Sequence, residues 1–249
     1  MPKKTKRKTT TRTTVIKQSD KPSDELITFV LIADSPIYRM KSYGPASLMP
    51  INNYKLIDYQ INSIKKSCKN YEIILCLGYE TNKVFRYVKS NHKNSNVRII
   101  ENQNYTSTNS CESLRLSLNN TLNDKIFIID GNLFFTSDDI VIKNDNSCSN
   151  MVYTVPKIND NFEVGVNINA NNQVEFFSFG AQQSWLEMIY FGKSSSINSL
   201  SRIINNETYS KKFTFEAFNE LLTINTVNIN ACQPSDEVWK INKPKRNWK

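Results

Sequence analysis

Apolar residues gather in strand-length runs along the first part of the chain: ITFVLIA (27–33), YEIILCL (71–77), VRII (97–100), KIFIID (125–130) and MVYTV (151–155). These runs are rich in Ile, Val and Leu and barely alternate, as strands buried on both faces do. Helical periods separate the early ones. Ile57, Ile61, Ile64 and Cys68 recur at i, i+4, i+7 and i+11; Val84, Phe85 and Val88 mark a second apolar face, and Cys111, Leu114 and Leu118 a third. Asn109, with Glu112 three residues on, gives the third helix a capping-box-like start. Strand and helix in alternation predict a mostly parallel sheet with right-handed crossovers and flanking helices.

Beyond residue 156 the period changes. FEVGVNINANNQVEFFSF (162–179) alternates about a central NANNQ, the pattern of an antiparallel hairpin. Helical stretches follow at 197–204 and 215–222, then an alternating strand through Val227, Ile229 and Ala231, and a closing EVWKINKP (237–244). Trp185, Trp239 and the pair Phe177 and Phe179 are expected in the core, and Ser194 to Ser196 as a helix lead-in. No repeat or interdomain linker interrupts residues 25–249, which read as one domain.

Charge changes the picture at one end. Residues 1–24, MPKKTKRKTTTRTTVIKQSDKPSD, carry eight Lys and Arg against Asp20 and Asp24, a net +6 of the chain's +9. With almost nothing apolar to bury, this segment is expected to be a disordered basic tail. Two readings stay open for it: non-specific nucleic-acid binding through counterion release, or a solvated segment of biased composition. It has no aromatic residue to stack on a base, which disfavours sequence-specific recognition.

Composition excludes several chemistries. The five cysteines form no C-x-x-C pair and there is one histidine, His92, in a polar KSNHKNSN stretch. A zinc site and Ser–His or Cys–His catalysis are therefore disfavoured, and free buried thiols fit a reducing, cytoplasmic compartment. No apolar stretch approaches the ~18 residues of a membrane span, and the opening residues lack the apolar core of a secretory signal. The heavy use of Asn, Lys and Ile suggests an AT-rich source such as a virus or phage, where association with a virion is an option.

The stretch LIADSPIYRMKSYGPASLMP (31–50) has the frame of a phosphate-binding loop without its glycines. Leu31, Ala33, Arg39, Met40, Pro45 and Leu48 keep that frame. PINNYKLIDYQI (50–61), LGYE (77–80), ENQNYTSTNSCESL (101–114), IIDGNLFF (128–135) and VWKINKP (238–244) follow in order. This ordered set resembles the nucleotidyltransferase family with a GT-A-like Rossmann fold, which activates sugar phosphates or phosphocholine with a nucleoside triphosphate. The resemblance spans roughly residues 27–247. It implies a single α/β domain with a mostly parallel mixed sheet, flanking helices and an antiparallel hairpin in the second half. It also implies Arg39 as a phosphate ligand and Asn109 and Ser113 near the nucleotide, with magnesium and a nucleoside triphosphate as cofactors only if the chain is active and no cofactor expected otherwise. On the residues alone, Arg39 serves equally as a structural ion pair and Asn109 as a helix N-cap.

The chain departs from the family at its working positions. Asp34 and Pro36 stand near the glycines of the loop; one brings negative charge to a phosphate site and the other has no N–H to donate. Ala46 replaces the lysine after Pro45. Asn132 and Asn242 match the two magnesium-binding aspartates, and two amides hold a hard cation far less well than two carboxylates. Asp130, two residues earlier on the same strand face, is a single stand-in carboxylate. Fold-shaping residues are kept while phosphate- and metal-handling residues change together. The expected function is a catalytically silent binding or structural module, with an unidentified protein partner or a place in a particle. Two alternatives remain: an active or weak nucleotidyltransferase using Asp130 and a divergent loop on a sugar-phosphate-like or choline-phosphate-like substrate, with Arg39 and Asp130 as vestigial catalytic candidates, and a nucleic-acid accessory protein acting through its tail.

Overall fold

Seven residues with almost no polar side chain, Ile27–Ala33, form β1 at the centre of the sheet. The structure is a computed structural model, and it describes residues 25–37, 40–140, 150–156, 163–224, 227–234 and 238–241. A small hairpin, β2 (Pro50–Ile51) and β3 (Tyr54–Lys55), precedes α1 (Leu56–Ser67). Strict alternation follows: β4 (Tyr71–Leu77), α2 (Thr81–Asn91), β5 (Val97–Glu101), α3 (Ser110–Leu118) and β6 (Ile126–Asp130). Then come β7 (Leu133–Phe134), β8 (Asn150–Pro156), β9 (Val164–Ile168), β10 (Val174–Phe179) and β11 (Gln183–Phe191). The chain closes with α4 (Ser194–Ile204), α5 (Thr214–Thr223), β12 (Asn230–Cys232) and β13 (Trp239–Lys240).

Among the described residues the main sheet has nine strands, ordered β10-β9-β11-β6-β1-β4-β5, with β8 paired to β11 and β12. β6, β1, β4 and β5 run parallel, and β11 joins antiparallel to β6. The chain moves outward from β1 to β4 and β5, then returns to place β6 on the other side of β1. A crevice at the C-terminal ends of β1 and β6 is the consequence of that reversal.

Both faces of the parallel core are covered, which is why its strands do not alternate. On one face Ile57, Ile61, Ile64, Val84 and Val88 of α1 and α2 pack on Phe29, Leu31, Ile73 and Phe127. On the other, Leu114, Leu200 and Phe218 of α3, α4 and α5 pack on Val30, Ile74 and Ile128. Each such fully buried side chain contributes about 1.5–3 kcal/mol relative to exposure. No described helix is long and apolar enough to cross a membrane.

Several local features differ from the sequence pattern. β11 is central to the sheet yet carries no alternation, because its pairing with β8 is interrupted between Trp185 and Ile189. Glu187 lies inside that interruption with φ 56°, a left-handed conformation that is costly for a residue with a Cβ. Asn109 stands at the N-cap of α3, but its side chain donates to the Lys211 carbonyl at 2.6 Å rather than to its own helix. Glu112 likewise leaves the capping box and pairs with Arg115 at 2.6 Å. His92 caps the C-terminus of α2, its Nε2 2.6 Å from Asp58 Oδ1, whose other oxygen accepts from the Tyr87 hydroxyl at 2.7 Å. Ser194, expected before the helix, begins α4 and donates to Asp124. Phe177 and Trp185 are buried, whereas Phe179 is 60% exposed and therefore not a core residue.

Candidate functional site

A cavity of about 680 Å³ opens at the C-terminal ends of β1 and β6. Its inner wall is Ile32, Ala33, Asp34 and Ile128, its floor Asp130, Asn132, Glu187 and Lys240. Buried Trp185 and Phe218 also line it, as do Phe215 and the exposed Phe179 and Phe213. Phe215 meets Phe179 edge-on at 6.0 Å and stacks with Phe213 at 6.1 Å. The turn after β6 is drawn tightly against β1: the Gly131 N–H donates to the Ile32 carbonyl at 2.7 Å. A Cβ on Gly131 would sit 2.4 Å from the Ala33 Cβ, so only glycine lets Asp130 and Asn132 approach β1 this closely.

The loop after β1 is fastened by Asp34. Its carbonyl accepts from the Tyr79 N–H at 2.6 Å, and its carboxylate accepts from the Ser113 hydroxyl. Ser113 in turn accepts from the Asn102 side-chain amide at 2.9 Å, and that amide also donates to Thr108 at 3.1 Å. Gly78 makes this approach possible, since a Cβ there would lie 2.5 Å from the Asp34 carbonyl oxygen. Asp34 thus lines the wall while its carboxylate joins Ser113 in a buried polar network behind it.

The floor is a second cluster. Lys240 Nζ lies 2.6 Å from Glu187 Oε1, and Asp130 hydrogen-bonds Glu187. The Asn132 N–H donates to Asp130 Oδ1 at 2.9 Å. Burial, and after it the repulsion and hydrogen bond of Glu187, push the Asp130 carboxyl well above the ordinary carboxylate range. Burial also opposes charge on Glu187, but the Lys240 ammonium and the Asp130 hydrogen bond outweigh it and lower its pKa. Burial opposes charge on Lys240 as well, yet the Glu187, Asp130 and Glu163 carboxylates outweigh it and raise its pKa. The Asn132 Oδ1 is buried without a hydrogen-bond partner, an acceptor left for whatever enters.

The sequence candidates distribute as follows. Asp130, Asn132 and Asn109 line the cavity together with Asp34, Pro36 and Ala46. Ser113 is fully buried behind it, bonded to Asp34. Arg39 and Asn242 lie outside the described residues, as does the 1–24 tail. Glu187 and Lys240 were missed by sequence reasoning. The signal available was a lone acid inside the apolar run WLEMIYF, a length and composition that bury the charge and demand a partner. Cys76 and Cys111 are buried, and burial pushes both thiols up to about 12, away from reactivity at neutral pH.

Solved structures share this architecture. The CTP:phosphocholine cytidylyltransferase of Streptococcus pneumoniae superposes with a TM-score of 0.68 at 18% identity, over 88% of this chain and 94% of that one. The fold is nucleotidyltransferase-like. The inositol-1-phosphate CTP transferase of T. maritima gives 0.67 at 11% identity over 87% and 89% of the two chains. A nucleoside-diphosphate-sugar pyrophosphorylase of Vibrio cholerae gives 0.69 at 14% over 88% and 96%. Identities this low speak for the fold alone. No protein-family model and no curated protein sequence matches the chain.

In this nucleotidyltransferase-like fold, magnesium is the metal that the family resemblance implies, and the floor cluster offers it poor donors. Magnesium asks for near-octahedral oxygen ligands, normally carboxylates and water. Here burial and Glu187 raise the pKa of Asp130 and so oppose its charged form, Glu187 is engaged by an ammonium, and position 132 supplies an amide. Among the described residues no three His, Cys, Asp or Glu side chains are grouped to hold a metal.

Proposed function

We propose that this chain is a small-molecule-binding module on a nucleotidyltransferase-like fold, without the transferase reaction. One observation carries the reading: the charge of the cavity wall. Among its described lining residues the carboxyl groups of Asp130, Glu163 and Glu187 meet one cation, Lys240, already paired with Glu187, and the Asp34 carboxylate lies behind them on Ser113. A nucleoside triphosphate carries several negative charges, and its transfer depends on cations and N–H donors aimed at the phosphates. Such a wall repels that ligand. The cavity nonetheless has the volume and mixed lining of a ligand site.

The test is pyrophosphate release from each of the four ribonucleoside triphosphates with magnesium, in the presence of phosphocholine or a sugar 1-phosphate. The expected result is release no faster than in protein-free controls. Turnover that depends on both nucleotide and acceptor contradicts the reading.

A second reading, a transferase acting on a choline phosphate-like acceptor, is favoured by the aromatic wall. Phe179, Phe213 and Phe215 beside Glu163 suit a quaternary ammonium group, and phosphocholine is named for one of the similar structures. The same assay separates the two readings, because binding of choline phosphate without pyrophosphate release supports only the first.

A further inference from the structure

Lys240 is aimed into the floor cluster by its backbone. β13 pairs antiparallel with β7, Trp239 opposite Phe134 and Lys240 opposite Leu133. The Ile241 N–H donates to the Asn132 carbonyl at 3.0 Å, and the Trp239 ring stacks on Phe134 at 4.7 Å and 14°. β7 follows the Asp130–Asn132 turn directly, so the pairing that fixes β13 also ties Lys240 to that turn. The lysine side chain keeps 16% of its surface exposed while its Nζ reaches Glu187 Oε1 at 2.6 Å. Glu187 is brought there from the other side by the interruption in β11, at the expense of a left-handed φ of 56°. Two irregular placements, from different parts of the chain, converge on one ion pair in the cavity floor.

The ion pair is partly buried, the Lys240 and Glu187 side chains being 16% and 27% exposed, and a pair in such a setting adds little net stability of its own, which points to a use. The use suggested by its position is neutralisation. Glu187 and Asp130 both line the cavity and repel each other, and without the cation on Glu187 that repulsion would open the floor or draw in a metal. An ammonium already bonded to the carboxylate repels a dication and occupies the lone pairs it needs.

We propose that Lys240 is the resident cation of this crevice, its ammonium standing beside Glu187 and Asp130 in place of a divalent ion, so that the crevice takes its ligand without magnesium. The inference rests on the reading of the cavity as a ligand site. It makes Lys240 a positioning residue for the floor carboxylates.

The experiment follows the melting temperature of the full chain, and the free Mn²⁺ electron paramagnetic resonance signal, as Mg²⁺ or Mn²⁺ is raised through the millimolar range at constant ionic strength. The parent is expected to show a flat melting temperature and an undiminished Mn²⁺ signal. Lys240→Met keeps the apolar stem and removes the charge. It should melt below the parent in EDTA, regain stability in a saturating manner with Mn²⁺, and reduce the free signal. Lys240→Arg should behave as the parent. Should Lys240→Met fail to fold, Lys240→Met with Glu187→Gln removes both charges, and it should fold and ignore metal.

Stoichiometric loss of the Mn²⁺ signal with the parent overturns the inference. So does a Lys240→Met protein that matches the parent in both stability and metal response, or a charge-free double variant that binds Mn²⁺. Metal binding by the parent without pyrophosphate release sinks this inference and leaves the proposed function standing. Nucleotide turnover in EDTA does the reverse.

Discussion

The Ser113 hydroxyl donates to the Asp34 carboxylate, and neither residue reaches solvent: Ser113 is 0% and Asp34 6% exposed. A carboxylate buried this deeply depends on each of its donors. Ser113→Ala should cost about 1–3 kcal/mol, the usual penalty for a buried polar group left unsatisfied. Chemical denaturation reads it as a lower midpoint at unchanged slope. Combining Ser113→Ala with Asp34→Asn should cost less than the two single changes together, because both disturb one contact. Strict additivity would place the two residues in separate environments.

The open side of β10 has its own guard. The side chain of Asn219, on α5, accepts from the Phe177 N–H at 2.7 Å and donates to the Phe177 carbonyl at 2.9 Å, as a neighbouring strand would. An uncovered edge is a template for pairing with another chain. Asn219→Leu should lose about 1–3 kcal/mol and give a protein whose light scattering rises with concentration. A monomeric variant of parental stability would mean the contact is dispensable.

Alkaline pH should unfold the protein through its buried phenols and thiols. Burial, and after it the Glu25 carboxylate, hold the proton on Tyr190 and raise its pKa from 10.0 to about 12. The folded value lies above the unfolded one, so this contribution is complete below pH 10 and is lost as pH climbs toward 12. Tyr190→Phe should therefore flatten the fall in stability across that window. The steeper part beginning near pH 9, from Cys76 and Cys111, should stay in place. Parallel curves for variant and parent count against a buried phenol.

Removing residues 1–24 should leave the melting temperature nearly unchanged. Among the described residues the first contacts are those of Glu25, which pairs with Lys125, of Leu26, whose carbonyl accepts from Asn123 at 2.8 Å, and of Ile27, whose N–H donates to the Asn70 carbonyl at 3.1 Å. Nucleic-acid binding, if the full chain shows it, should weaken steeply with salt and vanish on truncation. Binding that survives truncation would put that site on the domain.

The parallel half of the fold was legible because burial on both faces writes itself into the sequence as unbroken apolar runs. β1 and β4 coincide with ITFVLIA and YEIILCL residue for residue. The 162–179 hairpin was legible from its pattern about a central turn, and β9 and β10 do pair antiparallel, although a register shift between Val174 and Phe176 breaks the alternation of burial. β11 was not legible, since Glu187 breaks its period for the sake of the cavity floor. The same cause hid half the site. Asp130 and Asn132 follow a strand and could be placed by order along the chain. Glu187 and Lys240 are 57 and 110 positions from Asp130 and meet it only through β11 and the β13–β7 pairing. Asp34 was legible as a residue unfit for a phosphate loop, but its bond to Ser113 depends on α3 packing under β1 and has no local signature.

Nucleotide binding is the most direct measurement of the central claim, that the cavity is kept while its triphosphate chemistry is not. A ligand at a hundredfold excess over its Kd stabilises the folded state by about 2.7 kcal/mol, well within the reach of a thermal-shift titration. With millimolar CTP, ATP, GTP or UTP and magnesium, the full chain should show no saturable rise in melting temperature. A clear, saturable, magnesium-dependent rise with any one of them would contradict the account.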